Sequence, residues 1–152
     1  MEQLIDIFKA LLTPVIAMVA TYIAWQQWKT NRQKLKLEKY DRRLRVYEEV
    51  RKILSIIFRD PGKVSTDDLL RFRTSVSEAD FLFGPGTEIP EYIDEIYKHG
   101  LNLWRLNQEY RDKPNGYDHK KVVDERHKQC TWLTGQFNPA KEKFKKYLDI
   151  SR

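Results

Sequence analysis

A charge-free apolar run near the N-terminus constrains this chain more than any other feature. The run extends from Ala10 to Trp25, and the longer stretch from Ile7 to Trp28 holds a single charged residue, Lys9. The 22 residues of that stretch would reach about 33 Å as a helix, enough to cross a hydrocarbon core of about 30 Å. Lys9 is near enough to the end for its ammonium group to snorkel to the interface. The run therefore predicts a transmembrane anchor over residues 1–28.

The residues at the C-terminal end of the run predict its orientation. Aromatic rings that favour the headgroup region are followed at once by cations. The predicted interface residues are Tyr22, Trp25, Trp28, Lys29 and Arg32. Between Lys29 and Lys52 there are ten Lys and Arg against four Asp and Glu, so this segment accounts for the whole formal net charge of +6. The positive-inside rule then places the short N-terminus outside and the C-terminal bulk in the cytoplasm.

Two other interpretations of the apolar run are open. A cleaved signal peptide has a basic segment before its apolar core and a small-x-small cleavage site, whereas here the basic segment follows and the nearest candidate pairs Met18 with Ala20. A core helix of a globular protein is rarely apolar on every face for four turns and then strongly basic. The anchor is the interpretation that fits both the length and the flanking charge.

Small residues recur along one face of the predicted anchor at spacings of three and four. In lipid, where no hydrophobic force drives helices together, such a face allows close backbone approach between helices. The alternative is that Ala and Thr are simply common in membrane helices. The face predicts a homo-oligomer and consists of Thr13, Ala17, Ala20, Thr21 and Ala24.

The remainder of the chain, residues 29–152, predicts one all-α cytoplasmic domain. No Gly or Pro interrupts Trp25 to Asp60, so the anchor is expected to continue as one long amphipathic helix that ends at Asp60-Pro61-Gly62. Packing of this helix on its own domain is favoured over a parallel coiled coil between subunits. Its apolar stripe, broken once by Arg51, is predicted to be Leu37, Tyr40, Leu44, Tyr47, Leu54 and Phe58.

Start and stop signals divide the rest of the domain into the other members of a four- to five-helix bundle. One helix begins at Ser65-Thr66-Asp67-Asp68 and stops at Gly84-Pro85-Gly86, and the next begins at Pro90 and ends near Arg111. Another runs from about Asp118 to Thr134. The last follows Asn138-Pro139 and is predicted to bury Phe144, Tyr147 and Leu148.

The long helix also has a basic face, which is a candidate contact for anionic lipid headgroups or a cytoplasmic protein partner. A nucleic-acid partner is disfavoured, because the sequence has no interleaved aromatic platform, glycine-rich phosphate loop or recognisable binding module. The alternative is solvated charge that only sets topology. The face carries Arg32, Lys36, Lys39, Arg42, Arg43 and Arg45.

The sequence contains no recognisable catalytic or metal-binding motif. His99, His119 and His127 have no spacing that would place two metal ligands on one helical face. Cys130 lies one turn after His127, where a thiol and an imidazole can meet, but a buried structural thiol is the favoured interpretation. We therefore predict no catalytic residue, no metal site, no cofactor and a non-enzymatic protein.

A ribonuclease is the enzymatic alternative. Small helical ribonucleases of the HEPN class carry an Arg followed by a His after a short polar spacer. Here Arg111 and His119 are separated by seven residues that include Pro114 and Gly116, while Arg126 and His127 are adjacent. Neither pair fits that pattern, and the first is the pair to test.

The run IAWQQWKTNRQKLKLEKYDRRLRVYEEVRKIL resembles a pattern shared by many small, uncharacterised bacterial proteins in which a membrane helix leads into a basic helix. That resemblance implies a bacterial source, and so the bacterial inner membrane. In architecture alone the chain is also similar to small membrane accessory proteins of RNA-guided phage defence. The leading functional prediction is a membrane-tethered, self-associating interaction module. The alternative is an oligomeric pore or membrane-perturbing effector in phage defence or stress, with Lys9 and Gln26 or Gln27 at the pore mouth.

Overall fold

The structure, a computed structural model, describes residues 2–84, 86–112 and 119–149, without the side chains of residues 2–5 and 7–11. Within those ranges every regular element is helical, which confirms the all-α prediction. The α-helices are α1 (Glu2–Arg59), α2 (Thr66–Ser75), α3 (Ala79–Phe83), α4 (Glu88–Asp112), α5 (His119–Thr134) and α6 (Phe137–Lys145), with a 3₁₀ turn at Pro61–Lys63 between α1 and α2.

The chain divides into two compact units. The first, Met1–Glu38, is called the N-terminal unit below, and the second, Lys39–Arg152, is called the bundle. Helix α1 continues without interruption through the position where the charge changes, residues 28 and 29, and ends at Arg59 as predicted. Asp60 and Pro61 end it because the Asp60 carboxylate accepts a hydrogen bond from the Gly62 amide at 3.1 Å, which starts the 3₁₀ turn.

The face of α1 that enters the core is not the predicted one. Of the predicted stripe only Leu54 is fully buried, while Leu37 and Phe58 are 53% and 67% exposed. The reason is that a second apolar series has the same helical spacing and no charged member, whereas the predicted stripe contains Arg51. The buried residues of α1 are Val46, Val50, Ile53, Leu54 and Ile57.

Two helices stand where one was predicted between Ser65 and Gly84. The start is as expected, because Ser65 Oγ accepts from the Asp68 amide at 3.1 Å while the Asp68 carboxylate accepts from the Ser65 amide at 3.3 Å. The helix then stops at Val76, whose amide donates to the carbonyls of both Phe72 and Thr74. After this turn, α3 contributes Ala79 and Phe83 to the core.

Helix α4 is the centre of the bundle and contacts α2, α3, α5 and α6. It begins at Glu88, so Pro90 lies within its first turn, where a missing amide hydrogen costs nothing. Its buried side chains recur at steps of three and four. At Gly100 the helix passes so close to α2 that a Cβ atom would lie 2.6 Å from the buried side chain of Leu69, so any larger residue would force that side chain to shift.

The last two helices close the core with fewer buried residues than predicted. Helix α5 begins at His119, since Asp118 lies outside the described residues, and Leu133 is its one fully buried side chain. Helix α6 begins at Phe137, ahead of the predicted Asn138 cap, and buries Ala140 and Phe144. Tyr147 and Leu148 lie beyond its end and are half-buried against the core.

Candidate membrane and partner interface

Residues 12–28 of α1 form an apolar segment whose side chains are all exposed. Its large apolar side chains range from 48% exposed at Val15 to 66% at Met18, and small Ala and Thr residues lie on the side of the helix that the large ones leave. A helix in water normally confines its apolar residues to one stripe that faces a core. An all-round apolar surface is instead typical of a helix that is covered by lipid or by other helices.

Among the residues whose side chains the structure describes, no helix has a stretch both long and apolar enough to cross a membrane. The anchor over residues 1–28 therefore stays a prediction. Residue 1 and the side chains of residues 2–5 and 7–11 lie outside the described residues.

The aromatic residues at the end of this segment are paired with the cations that follow them. The Lys29 ammonium lies 5.7 Å from the ring centroid of Trp25, and the Arg32 guanidinium lies 4.7 Å from that of Trp28. Each pair is four residues apart, so the cation lies above the ring one turn earlier. Tyr22 completes the group, with its ring 6.3 Å from that of Trp25. The five predicted interface residues are thus brought together on consecutive turns of one helix.

The predicted oligomer face is exposed along its whole length. Thr13, Ala17, Ala20, Thr21 and Ala24 are all accessible. The Thr21 hydroxyl donates to the Ala17 carbonyl at 2.8 Å, so it is satisfied within the helix. The small residues of this face allow close backbone approach, and Thr21 adds no unsatisfied donor to it.

The residues of the predicted basic face belong to two compact units. In the N-terminal unit, Lys36 is exposed. In the bundle, Lys39 and Arg45 are exposed, and Arg42 is exposed but lies 3.6 Å from the Glu78 carboxylate. These residues are accessible to lipid headgroups or to a protein partner.

Arg43 is the exception on the basic face. Its Nε donates to the Leu82 carbonyl at 3.0 Å and its Nη1 to the Tyr147 carbonyl at 3.2 Å. The guanidinium also lies 5.5 Å from the ring centroid of Phe83 and 5.9 Å from that of Tyr147. Arg43 thus ties α1 to α3 and to the turn after α6, and its donors are used inside the bundle.

A polar network that the sequence did not indicate joins α4, α5 and the 3₁₀ turn. Asn107 is only 3% exposed; its Nδ2 donates to the Pro61 carbonyl at 2.7 Å and its Oδ1 accepts from Arg126 Nε at 2.6 Å. The Arg126 guanidinium also lies 5.5 Å from the ring centroid of Tyr110. A signal was present, since Asn107 follows Leu103 by four residues on the apolar stripe of α4.

The two Arg and His pairs weighed for a ribonuclease have different surroundings. Arg126 is turned into the network with Asn107, while the adjacent His127 is exposed. Arg111 is exposed at the end of α4, and the ring of His119 lies 4.8 Å from that of Tyr110. Residues 113–118, between Arg111 and His119, lie outside the described residues.

His99 of α4 contacts α5, and Cys130 of α5 is half-buried against the core. The His99 ring stacks on Trp132 at 3.7 Å, and its Nδ1 lies 2.6 Å from Gln129 Oε1. Since the Gln129 amide nitrogen donates to Glu125 at 2.9 Å, its oxygen accepts and His99 Nδ1 is the donor. Burial raises the pKa of the half-buried Cys130 thiol, although the nearby Arg126 charge lowers it, so thiolate formation is suppressed. Among the described residues, no group of three or more His, Cys, Asp and Glu could hold a metal ion.

An exposed ionic cluster joins the start of α4 to α6. The Glu88 carboxylate accepts from Lys143 at 2.6 Å and from Lys146 at 2.5 Å. Hydrogen bonds from these two ammonium groups lower the pKa of Glu88 to about 2. These two ion pairs link the first residue of α4 to α6 and to the residue that follows it.

No known protein family, curated protein or solved structure is similar enough to this chain to count as a match.

Proposed function

We propose that this protein is a non-enzymatic interaction module that is tethered to the bacterial inner membrane by a single N-terminal helix and associates with itself through that helix. The bundle lies in the cytoplasm, where its surface is available to a protein partner. The exposed apolar segment at residues 12–28, which ends in paired aromatic and cationic side chains, is the observation that carries the proposal.

A lipid environment accounts for the features of this segment together. Lipid tails cover apolar side chains on all faces, which no single packed partner does. Trp25 and Trp28 belong at the headgroup level, and the charges of Lys29 and Arg32 belong in the anionic surface just beyond it. The exposed small-residue face then supports association between helices inside the bilayer.

The bundle supports a binding role over a catalytic one. Three polar side chains of the bundle, Arg43, Arg126 and His99, are each engaged in a contact between helices. Lys39 and Arg45 are exposed basic residues of the bundle, and they suit contact with an acidic surface.

A charge placed at the middle of the anchor tests the tether. Val19→Arg places a guanidinium near the centre of the span, which opposes insertion by about 3 kcal/mol. We expect the protein to leave the carbonate-washed membrane fraction of expressing cells or to be degraded. Leu35→Arg is the matched control, because Leu35 is also an exposed apolar residue of α1 but lies beyond the span. Equal retention of the wild type and Val19→Arg, or a wild type found outside the membrane fraction, would contradict the proposal.

A membrane pore is the second candidate. It is favoured by Gln26 and Gln27, which are exposed uncharged polar residues at the end of the apolar segment and could line an opening in a ring of helices. Dye uptake by expressing cells separates the two functions. A tether leaves the membrane sealed, whereas a pore admits dye and does so less when Gln26 is changed to Leu.

A further inference from the structure

A series of exposed residues on α1, separate from the buried series between residues 46 and 57, contains no charged residue along most of the N-terminal unit. It starts at Leu12 and recurs at alternating steps of four and three up to Leu37, a heptad pattern of eight positions. All eight are exposed, and the large apolar members range from 49% to 58% exposure. This series, called the seam below, is Leu12, Ile16, Val19, Ile23, Gln26, Thr30, Gln33 and Leu37.

The seam positions remain uncharged even in the part of α1 that is richest in charged residues. In the segment from Lys29 to Glu38, half of the residues are charged, yet none of the three seam positions in it, Thr30, Gln33 and Leu37, is. Lipid cannot explain this, because the segment lies beyond the predicted span, where a helix surface in water tolerates charge on any side. A common reason for an uncharged seam both within the bilayer and beyond it is another helix packed along it.

We propose that a second copy of this chain packs in parallel along the seam, so that the helix pair formed in the membrane continues past the headgroups to Leu37. The inference rests on the proposed function, which supplies the shared membrane orientation. It adds the partner, the register and the surface of contact outside the bilayer.

A second copy suits the seam better than an unrelated helix. Two copies inserted the same way present identical residues at the same height, so each seam residue meets its own equivalent across a two-fold axis. An amide side chain has two donor hydrogens and an acceptor, so Gln33 with Gln33 is a self-complementary pair. Gln26 Nε2 donates to the Tyr22 hydroxyl at 2.9 Å, which leaves its second amide hydrogen and its oxygen for the Gln26 of the other copy. The Thr30 hydroxyl donates to the Gln26 carbonyl at 3.0 Å, so it brings no unsatisfied donor into the contact.

The seam is distinct from the small-residue face. At 3.6 residues per turn the two series lie about a third of a turn apart on the helix. Association through the small residues of the anchor can therefore occur without pairing along the seam. Cysteine cross-linking can separate the two.

Single cysteines in the full-length protein test the seam. In a Cys130→Ser background, cysteines are placed at Gln33 and Leu37, and at Arg32 as the control, which lies about 100° from Gln33 and about 140° from Leu37 around the helix. Membranes from expressing cells are treated with a short bis-maleimide, and the covalent dimer is measured. We expect several-fold more dimer from the cysteines at positions 33 and 37 than from the one at position 32. Equal cross-linking at all three, or none at 33 and 37, overturns the proposal.

A fourth cysteine keeps the two levels of association apart. Ala17→Cys reports pairing through the small-residue face within the anchor. Dimer at 17 without dimer at 33 or 37 would overturn the seam and leave the self-associating tether standing. No dimer at any position, together with a monomeric mass in mild detergent, would overturn both. Leu37→Lys should also lower the dimer formed by the cysteine at 33, whereas Leu35→Lys, on another face, should leave it unchanged.

Discussion

Arg43 is expected to be a stability residue, although it lies in a row of basic side chains. Arg43→Ala removes two charge-assisted hydrogen bonds to the Leu82 and Tyr147 carbonyls and a contact with the Phe83 ring. We expect the free energy of unfolding of the bundle to fall by about 2–3 kcal/mol. Chemical denaturation in mild detergent, followed by helical circular dichroism, measures it.

The exposed Arg45 provides the control for this prediction. Arg45→Ala should change the free energy of unfolding by no more than about 0.5 kcal/mol, as surface substitutions usually do. Arg43→Lys should restore little of the loss, because an ammonium group cannot reach two carbonyls with the fork of a guanidinium. Equal stability of Arg43→Ala and Arg45→Ala would show that the two hydrogen bonds contribute nothing.

Side-chain identity alone did not distinguish Arg43 from its neighbours. The sequence assigned it with Lys39, Arg42 and Arg45 to a lipid or partner surface, because all four lie on one helix and carry the same charge. What separates Arg43 is the arrival of two carbonyls from parts of the chain 39 and 104 residues away. Such long-range contacts leave no local pattern.

Single helices were predicted well where capping residues act locally. Ser65 and Asp68 form the expected capping box, and Asp60 with Pro61 ends α1. The buried face of α1 was predicted wrongly, because Val46, Val50, Ile53 and Ile57 repeat at the same spacing as the predicted stripe. Periodicity gives the presence of an apolar face, but the tertiary packing of the bundle decides which face is used.

The contact between α4 and α6 is expected to make the bundle sensitive to acid. Glu88 has a pKa of about 2 in the folded chain, below its ordinary value of 4.5, because Lys143 and Lys146 bind the carboxylate. The unfolded chain therefore takes up the proton first, and the stability that the cluster contributes is complete above about pH 5 and is lost as the pH falls towards 2. Glu88→Gln should flatten the fall of the melting temperature in that window.

A neighbouring carboxylate gives the matched control for Glu88. Glu91 is exposed on the same helix, and Glu91→Gln should keep the pH dependence of the wild type. Thermal melts over the acid range, followed by circular dichroism, compare the three proteins. Parallel curves for Glu88→Gln and the wild type would mean that the lysines do not hold the carboxylate in solution.

At the scale of the whole molecule, composition and spacing were enough to predict an all-α chain with one unbroken helix leading out of its apolar segment. They were not enough to place the division between the two compact units, which the structure puts after Glu38 and the change of charge puts after Trp28. The ten residues between are helical, highly charged and exposed. The change of charge marks where the helix surface is expected to meet water. The compact unit begins further along the helix, where its side chains pack against other parts of the chain.

That division predicts that the bundle folds without the N-terminal unit. Every fully buried apolar residue among the described side chains lies between Val46 and Phe144, so removal of residues 1–38 takes nothing from the core. A chain that begins at Lys39 should stay in aqueous solution without detergent, keep the helical content of residues 39–152 and unfold in one cooperative transition. It should also be monomeric, because both surfaces proposed for self-association lie before residue 39.

Light scattering and circular dichroism measure the mass and the folding of this shortened chain, and the full-length protein in detergent is the reference. An oligomer of the shortened chain would place self-association on the bundle, and loss of cooperative unfolding would mean that the core depends on the helix before it.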